Sequence, residues 1–156
     1  AGNDIVTAGT GTIVDTFQFT AALLAANSGT TATFDGGAGT DIVDITTDAA
    51  TIVDADFRGF TAIETLTTGD GANSITLGTN AVASGLITVT GGSDVDTITT
   101  AAGAQTVSGG LGADIIATGA GDDTITGGGG ADIFVSCIAD ASTNLSVADI
   151  ISDFID

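Results

Sequence analysis

Large apolar residues recur every nine positions through the C-terminal half of the chain: Val89, Ile98, Val107, Ile116, Ile125 and Phe134. Each sits at the centre of a short triplet, among them Thr97-Ile98-Thr99, Thr106-Val107-Ser108 and Thr124-Ile125-Thr126. Such alternation predicts a three-residue strand with its middle side chain inward and its neighbours outward. Between triplets lie six residues rich in Gly: Gly91-Gly92-Ser93-Asp94-Val95-Asp96, Gly109-Gly110-Leu111-Gly112-Ala113-Asp114 and Gly127-Gly128-Gly129-Gly130-Ala131-Asp132. The repeat reads G-G-x-G-x-D-x-U-x, with U a large apolar residue, and a sustained repeat decides the fold. Glycine takes positive φ at little steric cost and lets main-chain carbonyls converge, so these stretches are tight loops.

Two nonamers, strand out and strand back, close one coil. The predicted fold is therefore all-β, a parallel β-roll or β-solenoid with a flat core filled by the Val89-to-Phe134 column. Loops eighteen residues apart stack on one edge, placing Asp96 above Asp114 above Asp132, and Gln105 above Asp123 on the other.

Upstream the pattern is irregular. Gly36-Gly37-Ala38-Gly39-Thr40-Asp41-Ile42-Val43-Asp44 is one complete copy. Thr68 to Thr76 is a partial copy with Asn73 where Asp belongs, and Gly59 to Thr67 has Glu64 at that position. Ile75 and Val89 are fourteen apart, which implies a five-residue insertion near Leu77 to Ala81. Thr12 to Phe19 reads as extended, and Thr20 to Asn27 as a short helix capped by Thr20 and closed near Gly29. Three regions follow: irregular solenoid coils over 1–81, the regular roll over 82–135 and a C-terminal capping segment over 136–156.

Charge then narrows the function. Twenty acidic residues face one basic residue, Arg58, for a formal net charge of −19. Nucleic acid is excluded as a partner because phosphates would be repelled. No His, Lys, Tyr, Trp, Met or Pro is present, which removes Ser-His-Asp and Cys-His catalysis, Schiff-base chemistry and His-ligated zinc. With hydrophobic residues at 43%, the chain has the side chains to fold. Self-repulsion opposes it, and like carboxylates at a strand spacing of about 4.8 Å need a neutralising cation from outside. Carboxylates with main-chain carbonyls form an all-oxygen shell, which suits Ca²⁺ better than Mg²⁺. No apolar run is long enough to span a membrane, so membrane insertion is not expected. Cys137 stands alone and reads as a small apolar residue. The first residues look like half a motif, so a piece of a longer polypeptide is expected.

The nonapeptide resembles that of the RTX family of calcium-binding proteins, closely over Gly91 to Val135 and once at Gly36 to Asp44. Ala62-Ile63-Glu64-Thr65-Leu66 resembles a stretch of large calcium-dependent surface-layer proteins and adhesins of Gram-negative bacteria. Val147 to Phe154 is similar to the D-x-I-x-D-F segment that commonly follows RTX blocks. The resemblance implies a right-handed roll, type I secretion in an unfolded state and folding outside the cell, at its surface or beyond, where Ca²⁺ is abundant. It implies calcium on the carboxylates of Asp96, Asp114, Asp123 and Asp132, and on main-chain carbonyls of Gly109, Gly110, Gly112, Gly127, Gly128 and Gly130. Gly91, Ser93, Leu111, Gly119 and Gly121 occupy matching loop positions, and Asp41 belongs to the isolated copy. Asp94 replaces a loop Gly, Thr118 replaces a first Gly and the Thr100 loop lacks its Asp, so the second edge is expected to bind weakly or not at all.

Three functions compete. The leading one is a non-catalytic, extracellular structural module of a surface-layer or adhesin-like protein, with calcium, copies of itself or other domains of the same polypeptide as partners. The alternative is a calcium-dependent secretion and folding module of an exported enzyme or toxin. A third is a ligand-binding surface for ice or glycan. One sheet should present Thr106, Ser108, Thr124 and Thr126 outward, too few rungs for an extended array. The other should present Thr97 and Thr99, then Ile115 and Ala117, then Ile133 and Val135. Its apolar end is expected to be covered by Ile138, Leu145, Val147, Ile150, Ile151 and Phe154 or by a neighbouring subunit.

Overall fold

The computed structural model describes residues 5–9, 11–27 and 31–135, and the main chain of 150–151. Among the described residues every strand pairing is parallel, as a chain that returns by whole coils must produce. A three-stranded sheet contains β1 (Ile5–Thr7), β3 (Thr33–Asp35) and β6 (Phe60–Thr61). A seven-stranded sheet contains β2 (Thr16–Phe19), β4 (Ile42–Ile45), β7 (Thr65–Thr68), β9 (Thr88–Gly92), β11 (Thr106–Leu111), β13 (Thr124–Gly129) and β15 (Ile150–Ile151). A five-stranded sheet contains β5 (Thr51–Val53), β8 (Ser74–Thr76), β10 (Thr97–Thr99), β12 (Ile115–Ala117) and β14 (Ile133–Val135). The molecule is a parallel β-roll.

The C-terminal coils follow the nonamer. Thr88 pairs with Thr106 and Thr106 with Thr124 in the larger sheet, while Thr97 pairs with Ile115 and Ile115 with Ile133 in the other. Val89, Val107 and Ile125 from one sheet meet Ile98 and Ile116 from the other, all within one buried core. Complete burial of such a side chain stabilises by about 1.5 to 3 kcal/mol, so this column is the main favourable term in a flat roll. Phe134, at its end, is half-buried against the same core.

Upstream, each coil is longer and gains a third side. Thr65 pairs with Thr88 and Ser74 with Thr97, and bonds linking these coils, such as Asn73 to Asp96, span 23 residues. The five added residues are the insertion expected near Leu77 to Ala81, and the chain uses them for helix α2 (Thr79–Ser84), not an irregular loop. Gly85 closes that helix at φ 102°. Asp54 Oδ1 accepts the main-chain N–H groups of Gly78, Asn80 and Ala81 and so holds its first turn. In the preceding coils a 3-10 turn, Asp54–Phe57, and helix α1 (Ala21–Asn27) take the corresponding place. The Thr20 hydroxyl accepts the Leu23 N–H at 3.2 Å, capping α1 as its sequence predicts. Gly29 lies outside the described residues. The extended run expected over Thr12 to Phe19 narrows to β2.

A three-sided coil encloses a wider core, and wider side chains fill it. Phe34 and Phe60 stack with centroids 4.7 Å apart, and Phe19 meets Phe34 edge-on at 5.3 Å. Phe17 and Phe57 complete the group. Where the three-stranded sheet ends after β6, Leu, Val and Ile replace Phe in the buried core.

The outer faces differ as the sequence suggests, with two corrections. First, the hydroxyl array extends over four consecutive rungs, because Thr65 and Thr67, then Thr88 and Thr90, stack in register with Thr106 and Ser108 and with Thr124 and Thr126. The irregular upstream spacing hid this register. Second, Ile150 and Ile151 do not lie over the apolar face; they pair with Thr124 and Ile125 and extend the seven-stranded sheet by one rung. Among the described residues nothing covers Ile115, Ile133 or Val135, and Ile133 remains 57% exposed. Ile138, Leu145, Val147, Phe154 and Cys137 lie outside the described residues.

Candidate metal centre

Strands β7, β9, β11 and β13 each lead through a Gly-rich loop into a strand of the five-stranded sheet, and these loops stack as one edge of the roll. Their sixth positions form a continuous ladder. The Asp96 N–H donates to Asp114 Oδ1 at 2.8 Å, and the Asp114 N–H to Asp132 Oδ1 at 2.9 Å. Upstream, the Asn73 N–H donates to Asp96 Oδ1 at 2.7 Å, and the Ala50 N–H to Asn73 Oδ1 at 2.8 Å. One side-chain oxygen per rung is thus committed to the main chain of its neighbour.

The second oxygen is the one left for a cation. Asp114 is fully buried, and its Oδ2 has no hydrogen-bond partner. An unpaired buried carboxylate oxygen is costly, and a cation beside it would satisfy it. Burial, with Asp96 and Asp132 on either side, pushes the Asp114 carboxyl up from its ordinary range, while the hydrogen bond from the Asp96 N–H partly offsets this. A bound cation would remove this cost. Asp96 is equally buried, but its Oδ2 accepts the Gly92 N–H at 2.9 Å.

The loop glycines leave room for these oxygens. Within 3.0 Å of the point where a Cβ on Gly109 would stand lie both Asp114 Oδ2 and the Gly127 carbonyl oxygen of the next rung. Gly91 has the same surroundings, formed by Asp96 Oδ2 and the Gly109 carbonyl. A Cβ on Gly110, Gly128 or Gly130 would strike the carbonyl of Gly92, Gly110 or Gly112 in the rung before it. Only glycine permits so close a stack of carbonyls. Ser93 is half-buried, whereas the Leu111 side chain is exposed, leaving only its main chain to serve the loop.

The opposite edge leads into the seven-stranded sheet and carries a second ladder. The Asp15 N–H donates to Asp41 Oδ1 at 2.8 Å, and the Asp41 N–H to Glu64 Oε2 at 2.8 Å. Further along, the Gln105 N–H donates to Asp123 Oδ1 at 2.9 Å, and between the two segments stands Ile87, which has no carboxylate. Asp41 matches Asp114 closely: it is fully buried, its Oδ2 has no hydrogen-bond partner, and that oxygen and the Ala62 carbonyl both crowd the site of a Cβ on Gly36. Gly119 and Gly121 stack on Ala101 and Gly103 in the same edge near Asp123. Sequence reasoning missed Asp15; the signal was an Asp immediately before a strand, as with Asp41 and Asp123.

Among the described residues no three acidic side chains form a metal-holding group. The donor set is instead one carboxylate per rung plus main-chain carbonyls, hard oxygen ligands of the kind Ca²⁺ prefers. The residues therefore fit a calcium ion.

A parallel roll with buried aspartate rungs on its edges defines a calcium-stabilised solenoid. The chain carries the RTX calcium-binding nonapeptide repeat: residues 108–136 match the family model of that description, which spans four copies. These repeats bind Ca²⁺. No curated protein and no solved structure matches the chain. Among the described residues no helix is long and apolar enough to cross a membrane.

Proposed function

We propose that the chain is a calcium-stabilised structural module of an exported, cell-surface protein of the surface-layer or adhesin kind, acting by assembly and not by catalysis. The calcium ligands are assigned to Asp96, Asp114 and Asp132 on one edge and to Asp41 and Asp123 on the other, with the loop carbonyls around them. Calcium neutralises the rungs, so the nonapeptide coils close where the ion is plentiful and open where it is scarce.

The observation that carries the structural reading is the continuity of the seven-stranded sheet, which runs from β2 through the nonapeptide coils to β15. The calcium block is an extension of a longer solenoid, as a building element requires. Asp41, Asp96 and Asp114 are buried and tied to main-chain N–H groups, which suits them to holding a scaffold and not to attacking a substrate. The exposed Ile115, Ile133 and Val135 offer an apolar surface for contact between copies.

Light scattering and electron microscopy with calcium and with chelator test the reading. Calcium-dependent ordered association that weakens in an Ile133→Thr, Val135→Thr variant is the expected result. A strictly monomeric chain at millimolar calcium and high protein concentration would favour the secretion and folding module of an exoenzyme.

A further inference from the structure

We propose that Asn73 takes the place of calcium at its own rung, so that the metal ladder of the first edge ends there and the Ala50 rung closes without the ion. This deepens the calcium reading above and rests on it.

Asn73 occupies the sixth position of Thr68 to Thr76 and is 2% exposed. Its Oδ1 does what Asp114 Oδ1 does: it accepts the main-chain N–H of the preceding rung, here Ala50, at 2.8 Å. The other arm of the side chain differs. Where Asp114 Oδ2 has no hydrogen-bond partner, Asn73 Nδ2 donates to the Gly69 carbonyl at 2.9 Å, the Gly71 carbonyl at 2.8 Å and Asp96 Oδ1 at 3.0 Å.

The surroundings fix this orientation of the amide. Three acceptors require the donor on one side, and the Ala50 N–H requires the acceptor on the other. Exchanging Asp for Asn therefore alters only the atom that would face the metal. Two polar hydrogens then gather carbonyls of the second and fourth loop positions, which an aspartate rung leaves to a cation. The amide also removes one negative charge from a ladder whose neighbour, Asp96, is fully buried. An aspartate here would add a fourth oxygen to the Gly69 and Gly71 carbonyls and Asp96 Oδ1 and need its own ion.

Calcium titration calorimetry and amide hydrogen exchange on the whole chain test the proposal. In chelator, the Ala50 amide should stay protected while those of Asp96 and Asp114 exchange at least tenfold faster than with calcium. Asn73→Asp should bind one more calcium than the parent chain and make Ala50 protection calcium-dependent. Asn73→Ala, which lacks both the amide and a carboxylate, should lose Ala50 protection with or without calcium. Loss of protection at Ala50 and Asp114 together in chelator would overturn the proposal, as would an Asn73→Asp chain that folds in calcium but binds no additional ion. If calcium neither binds the parent chain nor alters any amide, the calcium reading fails, and that result is distinct from both.

Discussion

The main-chain N–H of Asp96 donates to the carboxylate of Asp114 one coil further on, at 2.8 Å. Two acidic residues are thereby joined by a bond that does nothing to lower the charge between them. The roll is stitched by its aspartates and burdened by their charge together, and a cation on the oxygens that the main chain does not use would resolve the conflict.

Folding of the nonapeptide coils should consequently follow calcium. Extracellular modules bind with Kd of order 10⁻⁴ to 10⁻³ M, and ion at ten times Kd stabilises by about 1.4 kcal/mol per site. Two or three sites contribute several kcal/mol, comparable with the whole stability of a small domain. Far-UV circular dichroism should show the β signal growing on titration with calcium. A full β spectrum in chelator, unchanged by calcium, would contradict this.

Asp114→Ala should raise the calcium midpoint more than Asp123→Ala. Asp114 is bonded to the rungs on both sides of it, whereas the rung before Asp123 carries Gln105 in place of a carboxylate. Either substitution strands one buried main-chain N–H, that of Asp96 or that of Gln105, at about 1 to 3 kcal/mol, so the difference between the variants reports the metal. Equal midpoints for the two variants would mean that the edges are equivalent.

Without calcium, mild acid should help the chain fold. The carboxyls of Asp114 and Asp56 are both pushed above the usual carboxylate range of 3.8, chiefly by burial. A group whose folded pKa is raised destabilises the fold above that pKa, and the cost disappears as pH falls toward the unfolded value. In chelator, thermal unfolding should thus shift upward between neutral pH and about pH 4. A midpoint that falls steadily over this interval would be inconsistent with these raised values.

Gly128→Ala should be far more damaging than Gly103→Ala. Both glycines have positive φ, 107° and 122°, but a Cβ on Gly128 would collide with the Gly110 carbonyl, while one on Gly103 meets nothing within 4 Å. Backbone strain, of order 1 to 3 kcal/mol, is common to both, so the difference isolates the stacking of carbonyls. Chemical denaturation in saturating calcium measures it, and equal losses would show that the stack tolerates a methyl group.

The nine-residue pattern by itself determined the C-terminal roll. Its apolar column, its Gly loops and the stacking of Asp96, Asp114 and Asp132 follow from local alternation and a fixed period, because successive coils there are identical in length. The charge of −19 against a single Arg58 also required an external cation, and the all-oxygen donors selected calcium. Tertiary structure decided the rest. Helix α2 and its upstream counterparts lengthen the coil, so Thr65 and Thr88 come into register only once the chain has closed around a third side. The Phe cluster, the four-rung hydroxyl face and the pairing of β15 with β13 all depend on that closure. Asn73 illustrates the division best. The sequence shows an amide where a carboxylate belongs, but only contacts across 23 residues and within its own loop reveal that one arm keeps the ladder while the other holds the carbonyls a metal would have gathered.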